Sequence, residues 1–186
     1  LHESVGRCDR EHECGYHYTP KQFFIDNPDL ATAPATPIRR TIEPPPPPLP
    51  IDYIDIGLFN ATLKAYNTNT LIIWLASVFG HDKALQIASA YKLGTTKNGE
   101  CIYWQIDRQG YIRTGKVRKH DIGTGKGLSI DWIHSRLEKQ TGKALNYQQI
   151  YFGSHLLASA ENVGKTVAIV EGEKTAVFMA VVMPQY

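Results

Sequence analysis

The chain has 186 residues, 42% of them hydrophobic and 20% charged, and a formal net charge of +2. That length suits one full domain plus a small module, and so small a net charge implies no nucleic-acid partner unless basic residues cluster locally. The longest largely apolar run, residues 71–79, is far short of the roughly 20 residues a membrane-spanning helix needs, so no membrane partner is expected. The N-terminus shows no charged start leading into an apolar stretch, hence no signal peptide, and it lacks an initiator Met, so the natural start is expected upstream. Three cysteines make a poor disulfide framework, which points to reduced thiols and a cytoplasmic setting.

Residues 1–29 are polar and carry several aromatics together with Cys8-x5-Cys14-x2-His17. A structural zinc site needs four ligands, usually as two spaced pairs. Cys8 and Cys14 form the one credible pair, with His2, His12 and His17 as further candidates; two reduced structural cysteines are the alternative. Residues 30–50 contain the five-proline run 44–48, expected to form a semi-rigid polyproline II linker. A docking site for a proline-binding domain is the other use of such a composition.

Residues 51–160 read as an α+β middle domain. Asn69 is placed to cap a helix through Leu71, Ile72, Leu75, Val78 and Phe79, ended by Gly80. A second helix starts at Asp82, carries Leu85, Ile87, Ala88 and Tyr91, and closes by Gly94. The second helix offers few base-reading side chains, so two ordinary packed helices suit the pair better than a DNA-binding helix-turn-helix. Ile102, Trp104 and Ile106 alternate with Cys101, Tyr103 and Gln105, predicting a strand with one apolar and one mixed face. Residues 107–110 supply a turn, and residues 111–117 return as the second strand of a hairpin. Gly123, Gly125 and Gly127 mark a loop, and an amphipathic helix with Ile130, Ile133 and Leu137 on one face is expected from Ser129. A further apolar segment covers residues 150–157.

The last unit, residues 161–186, opens on the apolar run 166–170, as expected for a parallel strand buried on both faces. Glu171-Gly172 follows, then residues 173–182, long enough for a helix and apolar almost all round. Glu171 is thereby expected at the carboxyl end of a strand, where open α/β sheets bind ligands. Such a glutamate can equally serve only to cap the following helix. A strand and buried helix of this kind need a second strand beside the first, so the domain reads as cut short.

Ile169-Val170-Glu171-Gly172-Glu173-Lys174-Thr175-Ala176 resembles the first motif of Toprim domains, found in bacterial primases, topoisomerases and primase-helicases. The resemblance makes Glu171 the catalytic general acid/base or a Mg²⁺ ligand in phosphoryl transfer, with Glu173 and Lys174 as nearby supports. A second Toprim motif, two aspartates one residue apart, has no counterpart after Glu171, and one carboxylate alone does not make the metal site. Residues 5–20 resemble the second half of a zinc ribbon, the module that precedes Toprim in bacterial primases and contacts template DNA. That makes Cys8 and Cys14 zinc ligands of the intact protein. Tyr103-Trp-Gln-Ile-Asp107, Gly110-Tyr-Ile-Arg-Thr-Gly-Lys116 and Tyr151-Phe-Gly-Ser-His-Leu-Leu157 resemble segments of an uncharacterised family of primase-like proteins carried on bacterial mobile elements. Together these resemblances imply a primase-like replication protein with structural zinc and catalytic magnesium, working on single-stranded DNA or an RNA–DNA template, with a replicative helicase as a further partner. A non-catalytic DNA-binding or regulatory module, or a Toprim nuclease, fits the same residues.

Residues 108–126 hold Arg108, Arg113, Lys116, Arg118, Lys119 and Lys126 against the single acid Asp121, with Tyr103 and Tyr111 on or near the same hairpin. Cations for phosphate and aromatic faces for bases are the usual single-strand pattern; a solvated basic hairpin is the competing interpretation. Two P-loop-like stretches are set aside. Val117 replaces the Mg²⁺-binding Ser or Thr in residues 110–117, and Ser159 stands where the first glycine belongs before Gly164-Lys165-Thr166. His120, His134 and His155 show no metal or catalytic spacing.

Overall fold

A computed structural model describes residues 2–30 and 48–186 of the chain, whose contacts divide it into two units, Leu1–Pro47 and Pro48–Tyr186. Most of the expected proline linker, residues 30–50, lies outside the described residues.

In the first unit β1 (Gly6–Arg7) and β2 (His17–Tyr18) pair antiparallel, with the single turn α1 (Glu11–Cys14) between them. Gly15, at φ 65°, lets the chain leave that turn. α2 (Pro20–Asp26) follows, with Pro20 at its first position and the Thr19 hydroxyl accepting from the Gln22 amide. Phe23 is the one buried apolar side chain among the described residues of this unit. Burying a phenylalanine contributes about 2–3 kcal/mol, whereas ordering each residue costs about 1–2 kcal/mol. A module this small therefore needs a staple beyond its apolar contacts.

The second unit has α3 (Ile56–Thr62), α4 (Thr70–Phe79), α5 (His81–Ala90), β3 (Gly94–Thr95), β4 (Cys101–Ile106), β5 (Ile112–Arg118), β6 (Asp131–Trp132), α6 (Ile133–Thr141) and α7 (Glu173–Val182). Two short 3₁₀ turns, Ser154–Ala158 and Ala160–Asn162, precede α7. The strands form one antiparallel sheet in the order β3-β4-β5-β6. Both faces are covered. Ile102, Trp104, Ile106, Ile112 and Val117 pack on one side with Phe59 of α3 and Ile133 of α6. Cys101 and Tyr103 pack on the other with Leu71 and Leu75 of α4, Ala84 and Ala88 of α5, and Val177 of α7. β4 is thus buried along its whole length, including the face the sequence marked as mixed.

The expected helix pair is present. Asn69 is wholly buried; its Oδ1 accepts from the Leu71 and Ile72 amides, and its Nδ2 donates to the Gly94 carbonyl and Thr95 hydroxyl. One side chain therefore starts α4 and ties it to β3. Gly80, at φ 87°, separates α4 from α5, and the helices pack as a pair. The expected turn holds as well, with Asp107 Oδ1 accepting from the Gln109 and Tyr111 amides. A bulge between Gln105 and Ile106 pairs Gln105 with Thr114 and Ile106 with Ile112, leaving Arg113 out of the ladder.

Two expectations are corrected. The amphipathic helix begins at Ile133, not Ser129, because Asp131 and Trp132 pair with Val117 and Lys116 and extend the sheet; Ile130 is exposed. Residues 166–170 form no strand, and Val167 and Ile169 are 59% and 81% exposed. No backbone partner accepts from the amides of residues 166–171 among the described residues, so the parallel sheet that would bury this run is not formed. α7 forms where expected, and it packs on α4, with Phe178 stacked on Trp74 and tilted against Phe79 at centroid distances of 6.0 and 5.0 Å. No helix among the described residues is long and apolar enough to cross a membrane.

Candidate functional site

In the N-terminal unit the β1–β2 pairing brings the two ends of the 8–16 loop together, with the Cys8 amide donating to the Tyr16 carbonyl at 3.0 Å. Cys8 and Cys14 are thereby set side by side. The Arg10 amide donates to Cys8 Sγ. A hydrogen bond from the Tyr16 backbone, then one with the Cys8 thiol, holds the Cys14 thiol below its ordinary value. The Tyr16 backbone bond stabilises thiolate charge on Cys14, which is what a metal-binding cysteine needs. Two sulfur donors on one hairpin fit half of a tetrahedral zinc site. Two of the three candidate histidines are engaged otherwise: His17 Nδ1 lies 3.2 Å from Glu11, and His2 bonds Ser4 and stacks on Phe23. No group of three or more His, Cys, Asp or Glu side chains is arranged to hold a metal among the described residues.

Glu171 is exposed and stands immediately before Gly172, the N-cap of α7. It lines an open groove of about 750 Å³ with Gln105, Ile150, Tyr151, Met179 and Met183. Glu173 is committed elsewhere: both its oxygens accept from Lys116 Nζ at 3.0 Å, and the two side chains are 14% and 19% exposed. Among the described residues Glu171 is then the one free carboxylate at this helix start. The described residues do not form a magnesium site, because that metal is held through several oxygen donors.

The basic stretch of residues 108–126 splits into two sets. Arg113 forms an ion pair with Asp107, bonds Gln148 and covers the Tyr53 ring; Lys116 is taken by Glu173. These two cations brace the fold. Arg108 and Lys119 are exposed, Arg118 is half-buried, and none has a carboxylate partner among the described residues. Of the aromatics, Tyr103 is wholly buried, whereas Tyr111 is exposed and packs on Tyr53 at 4.8 Å.

The glycine loop gathers the free cations. Asp121 and Lys126 face each other across it, the Asp121 amide donating to the Lys126 carbonyl, and the Leu128 amide donates to the Lys119 carbonyl. Lys174 of α7 reaches the same loop, with Nζ donating to the Gly125 carbonyl at 2.9 Å and lying 5.0 Å from the centre of the Trp74 ring. Gly125, at φ 67°, lies against Trp74, and a side chain at Gly127 would overlap the Arg118 guanidinium. The one acid of the loop, Asp121, spends Oδ1 on Gly123 and Thr124. Arg118, Lys119, Lys126 and Lys174 therefore surround the loop with no carboxylate pairing any of them among the described residues. The sequence showed the glycines and the local cations; the contribution of Lys174 had no sequence signal, because 48 intervening residues separate it from Gly125.

His120 sits beneath this loop. It is 2% exposed, its Nε2 is 3.1 Å from the Tyr103 hydroxyl, and its amide donates to Thr70. Burial first, then the charges of Arg118 and Lys174, push the imidazole down to about 4. His134 instead bonds Thr114 and stacks on Tyr147, and His155 bonds the Ala90 carbonyl.

Residues 1–29 match the family of zinc beta-ribbon fingers, which suggests structural zinc. No curated protein and no solved structure matches the chain. A second family, described as a domain of unknown function (DUF6371), matches from the buried cap Asn69 through the sheet, the glycine loop and α7. That match covers residues 69–186, more than half of the chain, and the chain belongs to the DUF6371 family.

Proposed function

We propose that this chain engages a single-stranded nucleic-acid template as part of a primase-like replication protein of a mobile element. The observation that carries the reading is the set of unpaired cations, Arg118, Lys119, Lys126 and Lys174, around the glycine loop. Phosphates bind such clusters by releasing counterions, and partner carboxylates would otherwise cancel the charge. Arg108 and the exposed Tyr53–Tyr111 pair add a cation and stacking faces at the hairpin tip. The zinc-ribbon module agrees with template contact, and a replicative helicase remains a partner of this reading.

The enzyme form of the proposal rests on the Toprim resemblance and on Glu171, which is exposed at the mouth of the groove. Magnesium-dependent nucleotidyl transfer would need more donors than Glu171 supplies, so the binding role is the one these residues support.

Fluorescence anisotropy with labelled single-stranded DNA, duplex DNA and RNA over a salt series tests the proposal. Single-strand binding is expected to weaken with salt, and Lys119→Ala with Lys126→Ala to reduce the log–log slope by about 1.4, two single-strand phosphate contacts. Absence of binding even at low salt refutes the reading.

A further inference from the structure

We propose that Arg118, His120 and Lys174 form a binding site for a phosphoryl group beneath the glycine loop. This goes beyond the template reading, since a free phosphoryl compound would occupy the site whether or not a strand does.

The argument is an excess of donors. Arg118 Nε and His120 Nδ1 are both buried without a hydrogen-bond partner among the described residues. Burial raises the Tyr103 hydroxyl well above the ordinary phenol range, so it stays protonated. Its one hydrogen-bond contact among the described residues is His120 Nε2, at 3.1 Å. In the proposed site the hydroxyl donates to Nε2, the tautomer that places the proton of the neutral imidazole on Nδ1. With that tautomer Arg118 Nε and His120 Nδ1 are two buried N–H donors without acceptors among the described residues, and a buried donor left unsatisfied costs about 1–3 kcal/mol.

Charge points the same way. Arg118 and Lys174 both act on His120, and neither meets a carboxylate among the described residues; Lys174 has the Gly125 carbonyl and the face of Trp74. The nearby Glu173 is saturated by Lys116. Half-buried cations without counter-charge are costly, and an oxyanion answers the donors and the charge together. A phosphoryl group offers several strong acceptor oxygens, enough to meet a guanidinium edge, an imidazole N–H and an ammonium. Lys174 and Glu173 also begin α7, whose N-terminal end favours negative charge. The loop glycines fit the same purpose, since Gly125 and Gly127 let the backbone close down on Trp74 and Arg118.

The probe is inorganic pyrophosphate, titrated into the whole chain at low ionic strength by calorimetry and by tryptophan emission, which Trp74 contributes to from beneath Lys174. Saturable binding is expected, at least tenfold weaker in Arg118→Gln and in Lys174→Gln and unchanged in Lys83→Gln, an exposed lysine on α5. Should a variant fail to fold, nitrogen NMR of the His120 imidazole in the unaltered protein gives a second readout, and pyrophosphate is expected to shift the Nδ1 resonance. No saturable binding, equal weakening in Lys83→Gln, or an unmoved His120 resonance overturns the site. Displacement of pyrophosphate by a nucleoside triphosphate assigns it to free nucleotide, and displacement by oligothymidylate assigns it to a strand. Pyrophosphate binding without oligonucleotide binding would keep the site and remove the template reading; the reverse would remove the site alone.

Discussion

Whether Glu173 is a site residue or a structural one is decided by its bond to Lys116. Two contacts of 3.0 Å join side chains that are 14% and 19% exposed. At an effective dielectric of about 20, two unit charges 3 Å apart attract by roughly 5–6 kcal/mol before desolvation is subtracted. Removing one partner strands the other charge where water reaches it poorly, a change that costs about 3–5 kcal/mol when burial is complete. The residual exposure here lowers that to about 2–4 kcal/mol. Lys116→Met and Glu173→Leu should each destabilise by that amount, whereas the double variant should return to within about 1 kcal/mol of the parent, because no charge is then left unpaired. Urea denaturation of the four proteins yields the coupling energy directly, expected at about 2 kcal/mol or more. Single losses below about 0.5 kcal/mol that simply add in the double variant would refute the reasoning. Glu173 would then be solvated and free to join Glu171 in chemistry.

Asn69→Ala should destabilise by about 3 kcal/mol, measured by thermal and urea unfolding, since it removes a cap and leaves buried groups of α4 and β3 unpaired; Asn69→Ser should recover about 1 kcal/mol by restoring the cap. Gly125→Ala should cost about 2 kcal/mol and change tryptophan emission, because it combines φ 67° with overlap against Trp74. Iodoacetamide should alkylate Cys14 first, since its thiol is held low, while Cys101, whose thiol burial pushes far up, should react only on unfolding; labelling of Cys101 in the native protein would contradict its burial. His120, at about 4 when folded and near 6.5 when unfolded, makes the unfolded state bind more protons between those values. Its contribution is therefore present above pH 6.5 and lost as pH falls from about 6.5 to 4. Burial lowers His134 and His155 as well, in the same direction. Urea midpoints at pH 7.5, 6 and 5 should fall in that order, and His120→Gln should flatten the decline.

Local patterns carried most of the fold. The Asn69 cap, the Gly80 break, the turn 107–110 and the extent of α7 all follow from residues within a few positions of one another, because capping, turn geometry and helical spacing are short-range effects. The expectation for residues 166–170 failed for the complementary reason: an apolar, β-branched run becomes a strand only with a neighbour to pair with, and none among the described residues pairs with it. The start of α6 was misplaced because Asp131 and Trp132 are drawn into the sheet by β5, a contact no local pattern encodes.

The same division holds at the candidate sites. The sequence by itself determined the inventory: two cysteines forming a candidate zinc-ligand pair, a run of cations between residues 108 and 126, and Glu171 before a helix. Which of those charges are free was decided only by tertiary packing. Arg113 and Lys116 are neutralised by Asp107 and Glu173, one local and one 57 residues away, while Lys174 is carried to the glycine loop by the docking of α7 on α4. Charge can be counted along a chain, but compensation depends on distance and burial in space, and those exist only once the chain has folded.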